Sequence, residues 1–351
     1  MTEDQVVGCI LGTAVGDSLG LPYEGLSRRR GTKLLGPPDR QRFFFRRGMV
    51  SDDTEHLCMV AQALIDAKGN VEVFRRSLAR RLRWWLLGAP AGIGLATLKS
   101  IIRLWMGCSP EHSGVRSAGN GPAMRAAVIG ITYGDAPCFR DLIRASTRLT
   151  HTDPKGEYGA CAIGLAAAMA KDVESVSPQN YIERLRQILP EEGAHEFLEL
   201  MSGTVASASQ SQSTDAYAGS LGLSQRISGY MYHSVPIAIH AWLINPLDYR
   251  AAITSVIRCG GDTDSVAAFV GGIVGVSVGQ QGIPQEWLSS IIDWPRSVTW
   301  MQRLGKQLYF SMTSSEVTRP IRLPVIAVLA RNLCFAAIVL YHGFRRLGPP
   351  Y

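Results

Sequence analysis

The sequence lacks β-type alternation and several widespread catalytic motifs. Very few stretches alternate apolar and polar residues, whereas helical periods dominate from end to end. There is no P-loop, no GxGxxG opening on a strand, no HExxH and no GxSxG, and there is no internal repeat. The sequence therefore predicts an all-α protein and gives no support for the enzyme classes that those motifs mark.

Paired cysteines are also missing. The seven cysteines are an odd number, they are scattered, and no two form a CxxC pair. We expect reduced thiols, no zinc site and a cytoplasmic protein. We also expect no signal peptide, because Met1–Asp4 is acidic and Asp17 interrupts the small-residue segment Gly8–Gly20.

What is present is ample apolar sequence and an excess of arginine. The 351 residues suffice for one large domain or two ordinary ones, and 46% of them are apolar. The net charge of +7 favours an acidic partner such as a nucleotide diphosphate, although solvated surface explains most arginine clusters. The basic, tryptophan-containing segment Phe74–Leu87 is predicted to be an amphipathic helix with a solvated basic face and its tryptophans in the core. Nucleic-acid or membrane-surface binding is the less favoured alternative, and no specific nucleic-acid partner is expected.

Glycines recur every four residues near the start of the chain. They are Gly8, Gly12, Gly16 and Gly20. On a helix they form one bare stripe along which a second helix can approach closely. Asp17, inside the stripe, is interpreted as a structural hydrogen-bond acceptor. Pro22 ends the helix, and Glu24 in the following turn would by itself be interpreted as a surface residue.

The segment Gly260–Gly272 is the most informative in the chain. Two glycines can hold a tight turn, and the Asp262-Thr263-Asp264-Ser265 sequence that follows is typical of a helix start. Two carboxylates and a hydroxyl within four residues suit a hard divalent cation. A well-capped buried helix with nothing bound is an equally weighted alternative.

A second acidic helix start lies at Ser51-Asp52-Asp53-Thr54, ahead of the apolar run Leu57–Ile65. Neighbouring aspartates repel each other, and a cation would remove that repulsion. An N-cap followed by an acidic first turn explains the same residues, with about even weight.

Two further turns could contact a ligand. Gly119-Asn120-Gly121, followed by Pro122, presents free N–H groups suited to an anionic or ribose-bearing ligand, although many helices begin in this way. His151, in a Thr-His-Thr-Asp sequence, is by itself more often a capping or core residue than a catalyst.

Three stretches are predicted to be loops or linkers. Ser27–Arg47 is rich in Arg, Gly and Pro and is predicted to be a long loop. Ser202–Gly222 is predicted to be a mobile loop or weak helix, either a lid or a variable surface insertion. Met312–Arg319 is interpreted as a linker.

The apolar segment Ile321–Tyr341 is interrupted by Arg331 and Asn332. A central arginine is costly in lipid, so we favour a helix docked on the domain or on a partner chain, ending at Gly343–Tyr351. Membrane association is the less favoured alternative.

Together these stretches resemble the ADP-ribosylglycohydrolase family. The matching segments, in the family's order across roughly residues 5–310, are Gly12–Glu24, Ser51–Thr54, Ser117–Arg125, Thr150–Asp153 and Gly260–Ser265. Each is weak alone, but five in order make a specific signal. The resemblance implies an all-α orthogonal multi-helix bundle with a two-magnesium cleft, Mn²⁺ being an alternative ion. It covers a domain at 1–311 and leaves an extension at 312–351.

The resemblance also implies roles for individual residues. Metal ligands would be Ser51, Asp52, Asp53, Asp262, Asp264 and Ser265. Glu24 matches the family's flap glutamate and would act with Asp52, Asp53 and Asp262 in catalysis. The ADP-ribose groove would be lined by Gly119, Asn120, Gly121, Met124 and Arg125, with His151 beside the distal ribose. Ser51 and Ser265 replace the family's usual threonines, so looser rotamer control is expected.

The implied reaction is hydrolysis of the N- or O-glycosidic bond between ADP-ribose and a modified protein or small molecule. Water activated by an aspartate, or held by the metals, would attack the anomeric carbon. The alternatives are an inactive ADP-ribose-binding module, a hydrolase of another ribosylated small molecule, and a membrane-associated or structural protein. The acceptor is not determined by the sequence.

Overall fold

The computed structural model describes residues 1–348, without the side chains of Ser175 and Glu191. This part of the chain forms α-helices joined by short 3₁₀ turns and loops, and it contains isolated β-bridges but no strand. The all-α prediction is therefore confirmed. The helices are α1 (Glu3–Gly20), α2 (Arg28–Leu35), α3 (Asp52–Ala67), α4 (Val71–Leu87), α5 (Leu95–Trp105), α6 (Ala127–Tyr133), α7 (Phe139–Arg148), α8 (Pro154–Met169), α9 (Pro178–Ile188), α10 (Glu191–Ser209), α11 (Thr214–Ser220), α12 (Met231–Ile244), α13 (Tyr249–Cys259), α14 (Thr263–Val278), α15 (Gln285–Leu288), α16 (Val298–Thr313) and α17 (Val325–Arg345).

The helices α1 and α14 pack against each other over their whole length, and this contact lies at the centre of the core. The glycine stripe of α1 faces the small residues of α14. A Cβ atom added at Gly12 would lie 2.1 Å from the carbonyl oxygen of Gly271, and one at Gly16 would lie 2.0 Å from that of Ala267. Only glycine permits this separation, so the predicted close approach is confirmed.

The other helices surround this pair. The helices α3, α6 and α16 pack on α1, and α8, α12 and α13 pack on α14. Both α3 and α14 begin at the same end of the α1–α14 pair, since Gly20 at the end of α1 contacts Thr263 at the start of α14. The two acidic helix starts are therefore brought together by the packing of the core.

Three local predictions were wrong in part. The segment Ser27–Arg47 contains α2, whose N-cap Ser27 accepts a hydrogen bond from the backbone N–H of Arg30. Most of Ser202–Gly222 belongs to α10 and α11, because buried Thr204 and Tyr217 join the two helices by a hydroxyl–hydroxyl hydrogen bond of 2.7 Å. In α4, Trp85 is buried as predicted, but Trp84 is 63% exposed.

All seven cysteines are free, as predicted. The C-terminal helix α17 docks on the domain, which is also as predicted. It passes the predicted end at Gly343, while Pro349–Tyr351 lie outside the described residues. By length and composition α1 and α17 could each cross a membrane, but the apolar window of α1 is fully buried in the fold and 28% of that of α17 is buried. Arg331 and Asn332 lie on the buried side of α17. The helix α16 ends at Thr313, and the domain boundary at residue 311 stays a prediction.

Candidate active site

The Gly260–Gly261 turn positions the start of α14. Both glycines have positive φ angles, +74° and +89°, and a Cβ atom at Gly261 would lie 1.9 Å from the carbonyl oxygen of Ile227. The backbone of Gly261 pairs with the Glu24 turn: the N–H of Gly25 donates to the carbonyl of Gly261, and the N–H of Gly261 donates to that of Leu26. The turn therefore fixes Glu24 and Asp262 to each other.

Asp262 occupies the N-cap position of α14, but its side chain does not cap the helix. Its Oδ2 accepts a hydrogen bond of 2.6 Å from the amide nitrogen of Asn120. The side chain of Asp262 therefore plays no part in capping α14. Its carboxylate is held by Asn120 instead and remains available for other contacts.

The start of α3 brings Ser51 and Asp53 to the same place. Ser51 is the N-cap, and its Oγ accepts a hydrogen bond of 3.2 Å from the backbone N–H of Asp53. The hydroxyls of Ser51 and Ser265 both donate to Oδ2 of Asp53, each at 3.2 Å. Oxygen atoms from the two ends of the chain therefore converge on the Asp53 carboxylate.

Asp17 lies beneath this cluster and acts as the predicted acceptor. Its carboxylate accepts hydrogen bonds from the backbone N–H groups of Ser51 and Thr54 and from the Thr54 hydroxyl. Burial nevertheless raises the pKa of Asp17 to about 6. Asp17 thus links α1 to the first turn of α3 through these hydrogen bonds, and its role is structural.

The remaining carboxylates of the cluster lie close to one another, and their repulsion raises the pKa values of Asp53 and Asp264. Burial is the largest cause for Asp53 and Asp264, whose pKa values lie well above the usual range. Repulsion from Asp52 adds to the effect on Asp53, and repulsion from Glu24 and Asp262 adds to that on Asp264. Asp52, half-buried on the first turn of α3, has a pKa raised by burial and then by Asp17. Such a cluster favours the binding of positive charge.

Two carboxylate oxygens in this cluster have no hydrogen-bond partner within residues 1–348. They are Oδ1 of Asp53 and Oδ1 of Asp264, and both are buried. A buried anionic oxygen without a partner is costly, and oxygen-rich groups of this kind suit Mg²⁺ or Mn²⁺. The donor set therefore fits a hard divalent cation.

The cluster is not a finished cage, however. In the described part of the chain, no three side chains of His, Cys, Asp or Glu are arranged to hold a metal ion by themselves. The serine hydroxyls, water or substrate would have to complete the coordination of an ion bound here.

Glu24 lies at the rim of the cluster. It is exposed, yet surrounding protein atoms and then Asp262 raise its pKa, while the guanidinium of Arg346 lowers it. The structure thus places Glu24 near Asp262 and Asp264, on the turn that pairs with Gly261.

The Gly119-Asn120-Gly121 turn packs on the ring of His151. A Cβ atom at Gly121 would lie 3.0 Å from Cε1 of His151, and one at Gly119 would lie 3.3 Å from Nε2. Burial and the nearby Arg125 lower the pKa of His151 to about 3, so the ring is neutral at physiological pH. Because Asn120 also holds Asp262, this turn and His151 form one wall of the site.

Arg125 lies behind that wall, and its guanidinium does not face the groove. It is fully buried and donates to the hydroxyl and carbonyl of Ser146 and to the hydroxyl of Thr150, at 2.7 to 3.0 Å. Met124 is also buried. The geometry therefore assigns Arg125 to the support of the Thr150–His151 loop. The sequence pattern gave no sign of this, because Ser146 and Thr150 are far from Arg125 along the chain.

Sequence reasoning also missed the neutralisation of Glu55 on the first turn of α3. Glu55 is buried, and its carboxylate accepts hydrogen bonds from Arg296, Arg331 and the indole of Trp85. These partners lower its pKa although burial opposes them. At this helix start, the charge of Glu55 is thus balanced by two arginines of the protein.

Comparison with known proteins agrees with this architecture. The profile of the ADP-ribosylglycohydrolase family matches residues 1–316. An uncharacterised protein of Archaeoglobus fulgidus is 30% identical over 88% of this chain and 96% of its own length. The ADP-ribosylhydrolase ARH3 of Gallus gallus is 28% identical over 81% of this chain and 88% of its own, and the ADP-ribosyl-[dinitrogen reductase] glycohydrolase of Rhodospirillum rubrum is 23% identical over 82% and 90%.

A solved structure shares the fold. The structure titled ADP-ribosylglycohydrolase-related protein complex superposes with a TM-score of 0.62 at 23% identity, covering 88% of this chain and 98% of that one. The chain belongs to the ADP-ribosylglycohydrolase family, and it is a glycosylhydrolase enzyme.

Proposed function

We propose that this protein is a magnesium-dependent hydrolase that cleaves the N- or O-glycosidic bond between ADP-ribose and a modified acceptor. The observation that carries the proposal is the meeting of Asp53 and Asp264, each with an unpartnered buried oxygen, at a point where the hydroxyls of Ser51 and Ser265 also converge. Family membership supports the ADP-ribosyl part of the substrate.

The proposed ligands of two Mg²⁺ ions are Asp52, Asp53, Asp262 and Asp264 with the hydroxyls of Ser51 and Ser265. Mn²⁺ is the alternative ion. When bound, the ions supply Lewis-acid polarisation of substrate oxygens and charge compensation for the carboxylates.

The side chains of the protein have separate tasks in this proposal. Asn120 orients the carboxylate of Asp262 through its 2.6 Å hydrogen bond. A carboxylate of the cluster accepts a proton from the water that attacks the anomeric carbon. The C–N or C–O bond to the acceptor breaks, and the acceptor leaves from the opposite side of that carbon and takes up a proton from solvent. Glu24, at the solvent-exposed rim, controls access to the cluster.

His151 and the glycine turn form the wall for the ribose in this proposal. A neutral His151 can donate or accept one hydrogen bond without placing a positive charge beside the developing oxocarbenium ion. Because Gly119 and Gly121 have no side chains, the imidazole of His151 lies directly against the turn, and the two form one continuous wall.

The names of the relatives favour a protein acceptor. One of them is called an ADP-ribosyl-[dinitrogen reductase] glycohydrolase, a name that includes a protein acceptor. The free, scattered cysteines support a reducing compartment, and we propose the cytoplasm.

The test is release of ADP-ribose from arginine-modified and serine-modified proteins, with Mg²⁺ and with a chelator. We expect release from one of the two substrates, in Mg²⁺ only. Release that persists undiminished in chelator would contradict the metal dependence. Binding of ADP-ribose without release from either substrate, measured by calorimetry, would contradict hydrolysis of these two bonds.

A further inference from the structure

The helix α17 contacts both loops that carry the site, although it lies outside the family match. The family profile ends at residue 316, and α17 begins at Val325. Family membership therefore gives this helix no role. Its buried polar residues nevertheless reach the backbone directly before Ser51 and the turn that carries Glu24.

The C-terminal end of α17 holds the Glu24 turn. Nη1 of Arg346 donates to the carbonyl of Glu24 at 2.8 Å, and Nη2 donates to that of Pro22 at 3.0 Å. Arg30, on α2, donates in turn to the carbonyl of Arg346 at 2.6 Å. Arg346 thus joins the C-terminal end of α17 to the Glu24 turn through its guanidinium and to the adjacent helix α2 through its carbonyl group.

The middle of α17 holds the start of α3. Arg331 is buried, and its guanidinium donates to the carbonyl of Val50 and to the carboxylate of Asp293. The second carboxylate oxygen of Asp293 accepts a hydrogen bond of 3.1 Å from the N–H of Val50. Val50 directly precedes Ser51, so Arg331 and Asp293 fix the position from which the metal-binding helix start begins.

Apolar contacts join the same segments. A small cluster packs Phe335 of α17 against Leu21, Phe43 and Met49. His342 stacks on Phe43, with ring centroids 5.2 Å apart, and its Nε2 lies 2.6 Å from the carbonyl oxygen of Phe43. Leu21 precedes Pro22, and Met49 precedes Val50, so the cluster binds the flanks of both site loops.

We propose that α17 positions the active site. Arg346 holds the Glu24 turn against the Gly261 loop, a contact that we call the latch, while Arg331 anchors the helix. The effect on turnover rests on the proposed function, because it requires Glu24 to control access to the cluster. Arg346 is a positioning residue, since two of its donors are used by the backbone carbonyls of Pro22 and Glu24.

The contacts that Arg331 and Arg346 make with the rest of the domain differ in strength. Arg331 is 6% exposed and lies in an ion-paired network, whereas Arg346 is only half-buried and holds two neutral carbonyl groups. Loss of the Arg346 contacts should therefore release the Glu24 turn while α17 stays docked. The latch acts on one loop and leaves the rest of the fold unchanged.

Amide hydrogen exchange of the full chain tests this directly. The probe is the N–H of Gly25, which donates to the carbonyl of Gly261 at 2.7 Å. Replacing Arg346 by Ala should speed exchange at Gly25 and Leu26 by roughly tenfold or more, because hydrogen bonds from a charged group are lost. The matched control is Arg345→Ala, an exposed arginine of the same helical turn, which should exchange at the wild-type rate. Arg346→Lys should be intermediate, since an ammonium lacks the planar fork that reaches both carbonyls.

Turnover gives a second, separate measurement. With a substrate that the wild type hydrolyses, Arg346→Ala should lower kcat/KM by roughly tenfold, and Arg346→Lys should restore part of it. The midpoint of thermal unfolding should stay near that of the Arg345→Ala control.

Three outcomes distinguish the possibilities. Unchanged exchange at Gly25 in Arg346→Ala would overturn the latch, whatever the activity. Faster exchange throughout α1 and α14 as well would overturn it too, because the arginine would then stabilise the whole fold. Local acceleration with a wild type that releases no ADP-ribose would support the latch and count against the proposed function alone.

Discussion

The amide of Asn120 donates to the carboxylate of Asp262 over 2.6 Å, across 142 residues of sequence. This bond joins the glycine turn beside His151 to the start of α14. It also explains why the N-cap carboxylate of a helix is free of capping: the side chain is turned toward the opposite wall of the site.

Loss of this bond should impair turnover more than stability. Asn120→Ala should lower kcat/KM by roughly 10- to 100-fold, in the range seen when a group orienting a metal ligand is removed. If Asp262 holds the proposed Mg²⁺, half-maximal activity should also require a higher Mg²⁺ concentration than in the wild type. Asn245→Ala is a control, since Asn245 bonds only to a nearby carbonyl at the end of α12. An Asn120→Ala enzyme with wild-type kcat/KM would show that Asp262 needs no orientation.

Repulsion among the clustered carboxylates should lower the stability of the metal-free protein. In chelator, Asp264→Asn should raise the free energy of unfolding by about 1–3 kcal/mol, because it removes one charge from a repelling cluster. In Mg²⁺ the order should reverse, since the wild type gains more from the ion than the variant does.

Thermal unfolding with and without Mg²⁺ measures both quantities. Glu316→Gln, which removes an exposed carboxylate from the segment before α17, is the matched control and should change neither. A destabilised Asp264→Asn protein in chelator would contradict the repulsion inferred here.

The α1–α14 contact should tolerate no side chain. Gly16→Ala would place Cβ 2.0 Å from a backbone carbonyl oxygen, so the helices must separate, and we expect a loss of roughly 3 kcal/mol or more in stability. Gly203→Ala, in α10 with open space around the new Cβ, should instead be neutral or stabilising by up to about 1 kcal/mol. Chemical denaturation of both variants gives the comparison, and equal effects would contradict the close contact.

A substitution at Arg125 distinguishes a structural role of this residue from direct ligand binding. If it only supports the His151 loop, Arg125→Met should lower the free energy of unfolding by about 3 kcal/mol, because buried acceptors on Ser146 and Thr150 lose their charged donor. A direct phosphate ligand would leave stability nearly unchanged and weaken binding of ADP-ribose. Denaturation and calorimetry on the same variant decide between the two roles.

His240 should make stability fall in mild acid. It is buried, stacked on Tyr217 and near the hydroxyl of Ser207, and burial lowers its pKa to about 4. Between about pH 6.5 and 4 the unfolded chain therefore binds a proton that the native protein does not, so stability declines as the pH falls through this window.

The slope due to one such group is at most about 1.4 kcal/mol per pH unit. His240→Gln should remove it, and the difference between the two proteins' unfolding free energies across this window is the measurement. A difference that stays constant with pH would contradict the low pKa of His240.

Local spacing predicted part of this structure well. The four-residue repeat from Gly8 to Gly20 predicted a bare helix face, because helical periodicity is a property of the sequence itself. The acidic starts at Ser51 and Asp262 were found as helix N-termini for the same reason. Their meeting in space needed the family resemblance, since nothing local shows which two helices pack together.

Features that depend on distant partners were not predicted. Arg125 looks like a ligand in its motif, and only the packing of Ser146 and Thr150 around it reveals a buried support. The stretch after Ser202 is polar enough to suggest a loop, yet Thr204 and Tyr217 bond to each other inside the fold. Arg331 argues against membrane insertion from the sequence alone, but its partners Asp293 and Glu55 lie 38 and 276 residues away in the chain, where no local pattern indicates them.

The contact between α1 and α14 also has a consequence for the newly made chain. The first helix emerges from the ribosome about 240 residues before its partner, which at roughly 5–20 residues per second is a delay of about 10–50 s. Throughout that interval the buried part of this apolar helix, Val6–Gly20, lacks α14, the partner against which its glycine stripe packs. The central contact of this fold therefore forms late in synthesis, and the nascent chain should depend on chaperones until α14 has been made.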